Sequence, residues 1–503
     1  MLATVPAATL LGVEGRPVSV EVHVSAGLPG FTVVGLPDAA CRESRDRVRA
    51  ALLSSRLPWP QRRMTVNLAP SGVRKNGPGL DLAIAVGVLV ACGELAAETV
   101  AGRGFLGELG LDGSVRRVQG GVPLVDALDT AEAVVPAGSV AEATLVGRHR
   151  VRGVRTLVEL VASLRGEAPW PELPPEAVDG SMDPETDLAE IRGHPVARLA
   201  LELAAAGGHH LLLVGPPGAG KTMLARRLPG LLPDLERTQA LETTRVHSAA
   251  GLALPPGGLV RRPPLRAPHH GASSVSLIGG GTAWMRPGEI SLAHNGVLFL
   301  DEMGEFPATV LDALRQPLEE GVVRVCRARG ALAYPARFLL VAATNPCPCG
   351  EGGPPGACRC TEAARARYGR RLSGPLLDRF DLRLEMARPE PADLLAGSGG
   401  ECSAQVAARV AAARRRAQAR GVGTNSELPA ARFDDVAPLG GGAKALLAHA
   451  LRTGALSARG LHRVRRVALT VADLSGHEGP VGEEEICLAL QLRAGPVGPG
   501  GQA

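Results

Sequence analysis

The sequence predicts an α/β protein in which a core with a parallel sheet follows an α+β domain and precedes an all-α region. Apolar runs separated by helical patterns are typical of buried parallel strands, and they occur here at 211–214, 297–300 and 338–342. A glycine-rich motif follows the first of these runs. From Ala404 onward, the chain shows helical patterns and no strand pattern.

Composition divides the 503 residues into three folded regions joined by two linkers. The first region combines an alternating strand pattern at 18–24 with an apolar helical pattern at 80–90. The linkers and the tail are rich in Pro, Gly or Ser, and the tail is predicted to be disordered. The expected boundaries are 1–166 for the α+β domain, 167–187 and 389–403 for the linkers, 188–388 for the core, 404–494 for the helical region and 495–503 for the tail.

The composition also excludes several classes of protein. A net charge of +5 excludes a histone-like cation, and the scarcity of aromatic residues, 2% of the chain, argues against binding of single strands by base stacking. No apolar run approaches the ~20 residues that span a bilayer, so we expect no membrane association. The odd number of cysteines, nine, does not fit a secreted disulfide framework, and no signal peptide is evident, so the sequence predicts a cytoplasmic protein.

The glycine-rich motif predicts a site for ATP and Mg²⁺. It fits G-x-x-x-x-G-K-[ST] and lies between a predicted strand and a predicted helix, which is the context that a P-loop requires. Backbone N–H groups of such a turn bind phosphate oxygens; Lys221 would add positive charge, and the Thr222 hydroxyl would bind Mg²⁺. Only three of the 55 basic residues are lysines, which makes a lysine at this position informative. The motif is Gly215-Pro216-Pro217-Gly218-Ala219-Gly220-Lys221-Thr222.

Two later strands supply polar side chains at their carboxyl ends. Asp301 and Glu302 follow the run at 297–300, where Asp301 would join the Mg²⁺ shell and Glu302 would polarise the attacking water. Asn345 follows the next strand and would orient that water, with an ordinary helix-capping role as the alternative. Arg379 and Arg459 are candidates for cations that meet the γ-phosphate, but in so arginine-rich a chain their positions alone do not distinguish them from surface arginines.

Four cysteines form two C-x-C pairs separated by eight residues: Cys347, Cys349, Cys358 and Cys360. Four thiolates are a ligand set for tetrahedral Zn²⁺, although zinc sites more often use C-x₂₋₄-C spacing. Reduced structural thiols and a redox pair remain alternatives. The residues between the pairs are mostly Gly and Pro and could not pack by themselves, so a metal would explain them.

The order of these motifs resembles that of an AAA+ ATPase of the magnesium-chelatase-like branch, and most closely that of the ComM/YifB family. The resemblance covers nearly the whole chain. The stretches that carry it are Gly35-Leu36-Pro37-Asp38, Glu43-Ser44-Arg45-Asp46-Arg47-Val48-Arg49, Asn67-Leu68-Ala69-Pro70, Ala267-Pro268-His269-His270, 287–296, Asn345-Pro346-Cys347-Pro348-Cys349-Gly350 and Leu372-Ser373-Gly374-Pro375-Leu376.

By this resemblance, Asp301 and Glu302 are the Walker B residues and Asn345 is sensor 1. Arg379 would be the arginine finger, and Arg459 would be sensor 2. Proteins of this kind form ring hexamers with ATP between subunits, so Arg379 would act on the neighbouring subunit. The family is associated with natural transformation, as a DNA helicase that drives branch migration of recombination intermediates.

The N-terminal domain resembles that of Lon proteases, but without their catalytic residues. The match places Gly79 at the position of the nucleophilic serine and Pro123 at that of the base lysine. Neither residue supports Ser/Lys chemistry. We therefore expect a proteolytically inactive Lon-like domain, and an ATP-dependent protease is disfavoured.

Two further segments of the core are candidates for contact with DNA or with other subunits. An insertion at 245–290 carries His269 and His270, for which a structural or pore-loop role is favoured over metal binding. Residues 322–331 predict a β-hairpin; by the resemblance to ring helicases its tip, with Arg327 and Arg329, would meet DNA phosphates in the pore. A solvated hairpin is the alternative. A motor subunit of the magnesium-chelatase type, which remodels a protein partner, is the alternative function.

Overall fold

A computed structural model gives the fold as two compact units. It describes residues 1–172, 186–281, 285–327, 330–352, 358–395 and 400–493. The first unit comprises the described residues within 1–181, 236–260 and 280–287, and the second comprises those within 182–235, 261–279 and 288–503. Composition can divide a chain only into continuous stretches, so it places residues 236–260 in the core. In the structure these residues pack with the first unit, through contacts between residues far apart in the chain. Within the described ranges, no helix has the length and apolarity needed to cross a membrane.

A four-stranded sheet forms the first part of the N-terminal unit. The alternating pattern at 18–24 is confirmed, since Val18, Val20, Val22 and Val24 are buried within one strand. All pairs in the sheet are antiparallel except the pair of the last two strands. Its order is Leu2–Leu11, Glu14–Ser25, Arg63–Ala69, Gly30–Val34.

Smaller sheets and six helices accompany this sheet among the described residues of the unit. A parallel three-stranded sheet has the order Arg103–Phe105, Glu132–Pro136, Arg150–Val154, and a two-stranded sheet pairs Glu108–Leu109 with Val115–Arg116. The helices are Ala39–Ser54, Asp81–Ala91, Gly121–Asp126, Val140–Thr144, Leu157–Arg165 and Arg237–Ala250. The last helix joins this unit through contacts such as the ion pair of Arg245 with Asp126, at 2.6 Å.

The two positions aligned with the Lon catalytic residues lie in local structure without nucleophilic side chains. Gly79 is in the turn Pro78–Leu80, just before the buried helix Asp81–Ala91, and Pro123 is inside the helix Gly121–Asp126. Gly79 lines a cavity of about 280 Å³ together with Thr9 and Asn76. The Lon-like origin of the unit stays a prediction.

A fully parallel five-stranded sheet organises the second unit. Its order is Leu265–Arg266, Val297–Leu300, Leu339–Thr344, Leu211–Val214, Leu382–Glu385. The three central strands are buried along their whole length, as their continuous apolar runs predict. All strand pairs in this sheet are parallel, so the predicted parallel core is confirmed. The P-loop strand, Leu211–Val214, lies between Leu339–Thr344, which ends just before Asn345, and Leu382–Glu385.

Helices surround this sheet and form the whole of the described C-terminal region. The core helices are Pro195–Gly207, Lys221–Arg227, Ser274–Ile278, Glu289–Leu292, Ala308–Asp312, Arg315–Glu320, Glu362–Gly369, Gly374–Leu377 and Pro391–Leu395. The C-terminal helices are Ser403–Ala419, Phe433–Val436, Gly441–Arg452, Ala458–Ser475 and Glu483–Gln491. The tail at 495–503 lies outside the described residues.

A buried charge network ties the end of the core to the longest C-terminal helix. Nη1 of Arg463 lies 2.6 Å from Oδ1 of Asp381. Burial alone would raise the pKa of Asp381, but the neighbouring His209 and Arg463 hold it well below its usual range. His210 accepts a hydrogen bond from the backbone N–H of Leu340 at 3.1 Å, and burial lowers the pKa of His210 to about 4.

The depressed pKa of His210 predicts that mild acid destabilises the second unit. Below about pH 6.5 the unfolded chain binds a proton on His210 that the folded protein still excludes, so stability falls as the pH falls. We expect the free energy of unfolding to drop by about 1–2 kcal/mol between pH 7 and pH 5. Urea titrations followed by circular dichroism measure it. H210N should lose this part of the pH dependence of the free energy of unfolding, whereas H477N, at an exposed histidine, should keep it. An unchanged pH dependence in H210N would contradict the assignment of the effect to His210.

Candidate functional site

The P-loop turn is shaped by three glycines, each with a backbone reason. Gly218 and Gly220 adopt φ values of 81° and 79°, in the left-handed region that side chains disfavour. A Cβ on Gly215 would lie 2.4 Å from the carbonyl oxygen of Met386. The turn leads directly into the helix Lys221–Arg227, so its N–H groups and the helix N-terminus converge as the motif predicts.

Lys221 joins the P-loop to the Asn345 strand. Its Nζ donates to the carbonyl oxygens of Gly215 and Pro216, at 2.5 and 2.9 Å, and to Oδ1 of Asn345 at 3.1 Å. The side chain is 8% exposed, and burial lowers the pKa of Lys221, although the charge of Asp301 acts in the opposite direction. Asn345 therefore lies at the P-loop, and a capping role is not needed to explain it.

Thr222 and Asp301 form the second contact across the sheet edge. The Thr222 hydroxyl donates to Oδ2 of Asp301 at 2.8 Å. A hydroxyl and a carboxylate oxygen in contact are hard ligands of the kind that Mg²⁺ prefers. The donor set at this point of the structure therefore fits the predicted ion.

Glu302 is held by a histidine that sequence reasoning did not connect with it. Nδ1 of His270 lies 3.1 Å from Oε2 of Glu302. Glu302 has a φ of 50°, an uncommon conformation for a residue other than glycine, and such strain often occurs at functional positions. His270 belongs to a motif quoted above, but its partner depends on the tertiary fold.

A second missed residue, His194, lies beside the P-loop helix. It begins the helix Pro195–Gly207, and its Nε2 lies 4.0 Å from where a Cβ on Gly220 would stand. That nitrogen is buried and has no hydrogen-bond partner among the described residues. Burial lowers the pKa of His194, which favours the neutral form of the ring. A single histidine before a proline gave no signal in the sequence.

The two candidate arginines lie close to each other. Within the described residues, the guanidinium of Arg379 pairs with Glu319 and with no residue of the P-loop. Burial and repulsion from Arg463, Arg459 and Arg315 lower the pKa of Arg379. Arg459 is exposed at the start of the helix Ala458–Ser475. The structure therefore brings Arg459 close to Arg379, as part of one cluster of positive charge.

The predicted hairpin is present, but its tip falls mostly outside the described residues. The strands Val322–Arg327 and Gly330–Pro335 pair antiparallel, with Arg327 opposite Gly330. Gly330 begins the second strand. Arg329 lies outside the described residues, so the DNA contacts expected of Arg327 and Arg329 stay predictions.

The four cysteines of the C-x-C pairs converge. Their sulfur atoms all lie within 4.8 Å of one another, and Cys347 is buried while Cys349 is exposed. They directly follow Asn345 in the chain, so the cluster is adjacent to the P-loop site.

Comparison with known proteins identifies the class to which this fold and site belong. Residues 187–394 match the family described as magnesium chelatase, subunit ChlI. Residues 20–139 match the family described as subunit ChlI of Mg-chelatase, and residues 400–493 match its C-terminal family. Residues 187–394, most of which belong to the second unit, therefore form an AAA+ core of the magnesium-chelatase type, a class that implies ATP and Mg²⁺ as ligands.

Full-length relatives narrow the class to a family. An uncharacterized protein of Mycobacterium tuberculosis is 46% identical over 491 residues, covering 96% of each chain. Competence protein ComM of Haemophilus influenzae is 42% identical over 501 residues, covering 98% of this chain and 97% of its own. Uncharacterized protein YifB of Escherichia coli is 42% identical over 483 residues, covering 94% and 93%. The chain belongs to the ComM/YifB family of magnesium-chelatase-like proteins.

The contacts of Lys221 predict that its removal abolishes nucleotide binding. K221A loses the only side-chain cation that reaches both the P-loop carbonyls and Asn345 within the described site. A fluorescent ATP analogue should bind K221A too weakly to measure. K444A removes an exposed lysine from the helical region and should bind like the unchanged protein. Equal affinity in both variants would refute the assignment.

Proposed function

We propose that this chain is an ATP-hydrolysing motor that assembles into a ring and acts on DNA. Two hydrogen bonds at the edge of the sheet support ATP hydrolysis: Lys221 donates to Asn345, and Thr222 donates to Asp301. Each residue type is the one that phosphoryl transfer uses at its position. The family membership supports the same activity.

Hydrolysis requires a base for the attacking water, and Glu302 is the base in this proposal. Bound Mg·ATP supplies an electrophilic γ-phosphate next to Lys221. Glu302 takes the proton of the attacking water. Asn345 orients the water or the γ-phosphate so that the water oxygen approaches phosphorus opposite the leaving oxygen. The contact of His270 with Glu302 fixes the direction of the carboxylate, so His270 acts as a positioning residue.

The environment of Arg379 supports action on a neighbouring subunit. Its contacts lie with Glu319 and the C-terminal helices, and none reaches the P-loop of its own chain among the described residues. A partly buried guanidinium that is repelled by other arginines, and paired only with the exposed carboxylate of Glu319 among the described residues, gains from a second anion supplied from outside. The γ-phosphate of ATP bound to an adjacent subunit is such an anion. If each Arg379 reaches the ATP of the next subunit, the subunits form a closed ring. The family resemblance implies that this ring is a hexamer.

DNA is the proposed substrate because of the family and the arginine-bearing hairpin. The relative named competence protein ComM spans the full length of this chain. The family resemblance links that name to branch migration during natural transformation. Arg327 and Arg329 near the hairpin turn would bind phosphates without reading the sequence.

The alternative is a motor subunit that remodels a protein partner. It has support from the magnesium-chelatase 38 kDa subunit of Rhodobacter capsulatus, which is 28% identical over 235 residues and 43% of this chain. That similarity is partial, whereas the ComM relative matches throughout. The two functions differ in their response to DNA.

We expect a four-way DNA junction to raise kcat for ATP several-fold at low salt and to lose this effect as salt is added, because phosphate contacts release counterions. A steady-state phosphate-release assay measures it. R327A/R329A should lose the stimulation and keep the basal rate. R324A is the matched control, since Arg324 lies on the same strand as Arg327 and is paired with Glu320, the last residue of the preceding helix. If no DNA changed the rate or bound, the DNA motor would be excluded and the protein-remodelling alternative favoured.

Mixing two inactive variants tests the action of Arg379 between subunits. K221A lacks a working P-loop, and R379A should lose about a thousandfold in kcat. When the two are mixed, some interfaces combine an intact P-loop with an intact arginine, about a quarter of them if subunits exchange at random. ATPase activity should therefore reappear, with mass photometry reporting ring size. No recovery despite mixed rings would place Arg379 in its own subunit's site or outside catalysis.

A further inference from the structure

The cysteine cluster, defined as Cys347, Cys349, Cys358 and Cys360, has the geometry of a metal site. Sulfur–sulfur distances within it are 3.3 Å for Cys347 to Cys349, 3.5 Å for Cys347 to Cys358 and 3.6 Å for Cys349 to Cys358. A tetrahedral ion with Zn–S bonds of ~2.3 Å would place its sulfurs about 3.8 Å apart. A disulfide would need ~2.05 Å, and all four thiols are free.

The surroundings of the cluster favour a metal over a set of packed thiols. Only Cys347 is buried, and Cys349 is exposed, so the cluster is not an apolar core. The backbone N–H of Cys360 points to the sulfur of Cys358 at 3.4 Å, a contact that stabilises a thiolate ligand. Charge-neutralising Zn²⁺ would hold together four groups that otherwise gain little from being close.

The segment that carries the cluster packs on the P-loop. A Cβ on Gly350 would lie 2.7 Å from Cδ of Pro217, so the backbone of Gly350 packs closely against the Pro217 ring. Arg388 adds a bridge: its Nη2 lies 3.0 Å from Oε1 of Glu351, and its Nε lies 3.5 Å from the carbonyl oxygen of Pro217. On its other side, the segment begins at Asn345, which contacts Lys221.

We propose that the cysteine cluster binds one Zn²⁺ and that this ion fixes the segment from Asn345 to Glu351 against the P-loop. Without the ion, few contacts among the described residues would hold this Gly- and Pro-rich segment: the Asn345–Lys221 hydrogen bond, the Arg388 bridge and the contact of Gly350 with Pro217. Asn345 and the P-loop turn would then lose their fixed relative position. Zinc is thus a structural support for the nucleotide site and takes no part in hydrolysis, which extends the proposed ATPase function.

The full-length protein, purified under reducing conditions without chelator, should contain about one zinc per chain by mass spectrometry of the metal. C349S removes a ligand whose side chain is exposed, so folding should survive, as circular dichroism would show, while the zinc content falls by more than half. C487S, at another exposed cysteine, is the matched control and should keep its zinc. Cobalt added to zinc-depleted protein should give the absorption of a tetrahedral tetrathiolate site in C487S and not in C349S.

Nucleotide binding and hydrolysis test whether zinc at the cysteine cluster supports the nucleotide site. In C349S the fluorescent ATP analogue should bind more weakly, and kcat should fall about tenfold or more, the scale of a misplaced positioning group. Adding zinc to depleted C487S should restore both quantities. Absence of zinc and of the cobalt spectrum, or a disulfide between these cysteines in the reduced preparation, would overturn the metal site. Zinc binding with unchanged nucleotide affinity would overturn the coupling. No measurement involves DNA, so failure here is separate from failure of the DNA motor.

Discussion

The parallel alignment of the five-stranded sheet is the constraint on which the nucleotide site depends. Because the strands Leu211–Val214, Val297–Leu300 and Leu339–Thr344 run in the same direction, their carboxyl ends meet at one edge. The P-loop, the Asp301–Glu302 pair and Asn345 each begin where one of these strands ends. Residues more than a hundred positions apart, such as Lys221 and Asn345, therefore make a direct hydrogen bond.

Two groups of residues extend the site beyond that edge. The segment after Asn345 leads to the cysteine cluster and returns to the P-loop at Pro217. The arginine cluster around Arg379 lies with the C-terminal helices, where Arg463 also neutralises buried Asp381. The first group would make the nucleotide site depend on a metal, and the second would make hydrolysis depend on a neighbouring chain. In both cases the phosphate site would depend on a component that lies outside the P-loop itself.

Some elements were predictable because their signal is local. The P-loop requires glycine at left-handed positions such as Gly218, and a buried central strand requires an uninterrupted apolar run. The hairpin at 322–335 and the all-α region were likewise predictable from short-range patterns. By contrast, the pairing of His270 with Glu302 joins residues from different parts of the chain, and no spacing rule connects them. The packing of Arg237–Ala250 on the N-terminal unit has the same origin.

The order of residue types along the chain is enough to indicate a nucleotide site: a glycine-rich turn, two carboxylates and an asparagine follow one another as such sites require, and four thiols follow the asparagine. Which of these residues come into contact depends on the three-dimensional fold. It gave Lys221 its hydrogen bond to Asn345 and paired Arg379 with Glu319. It also left Nε2 of His194, near Gly220, without a hydrogen-bond partner among the described residues. The reason is physical, since local patterns depend on neighbouring residues, whereas these contacts depend on how strands and helices distant in sequence pack together.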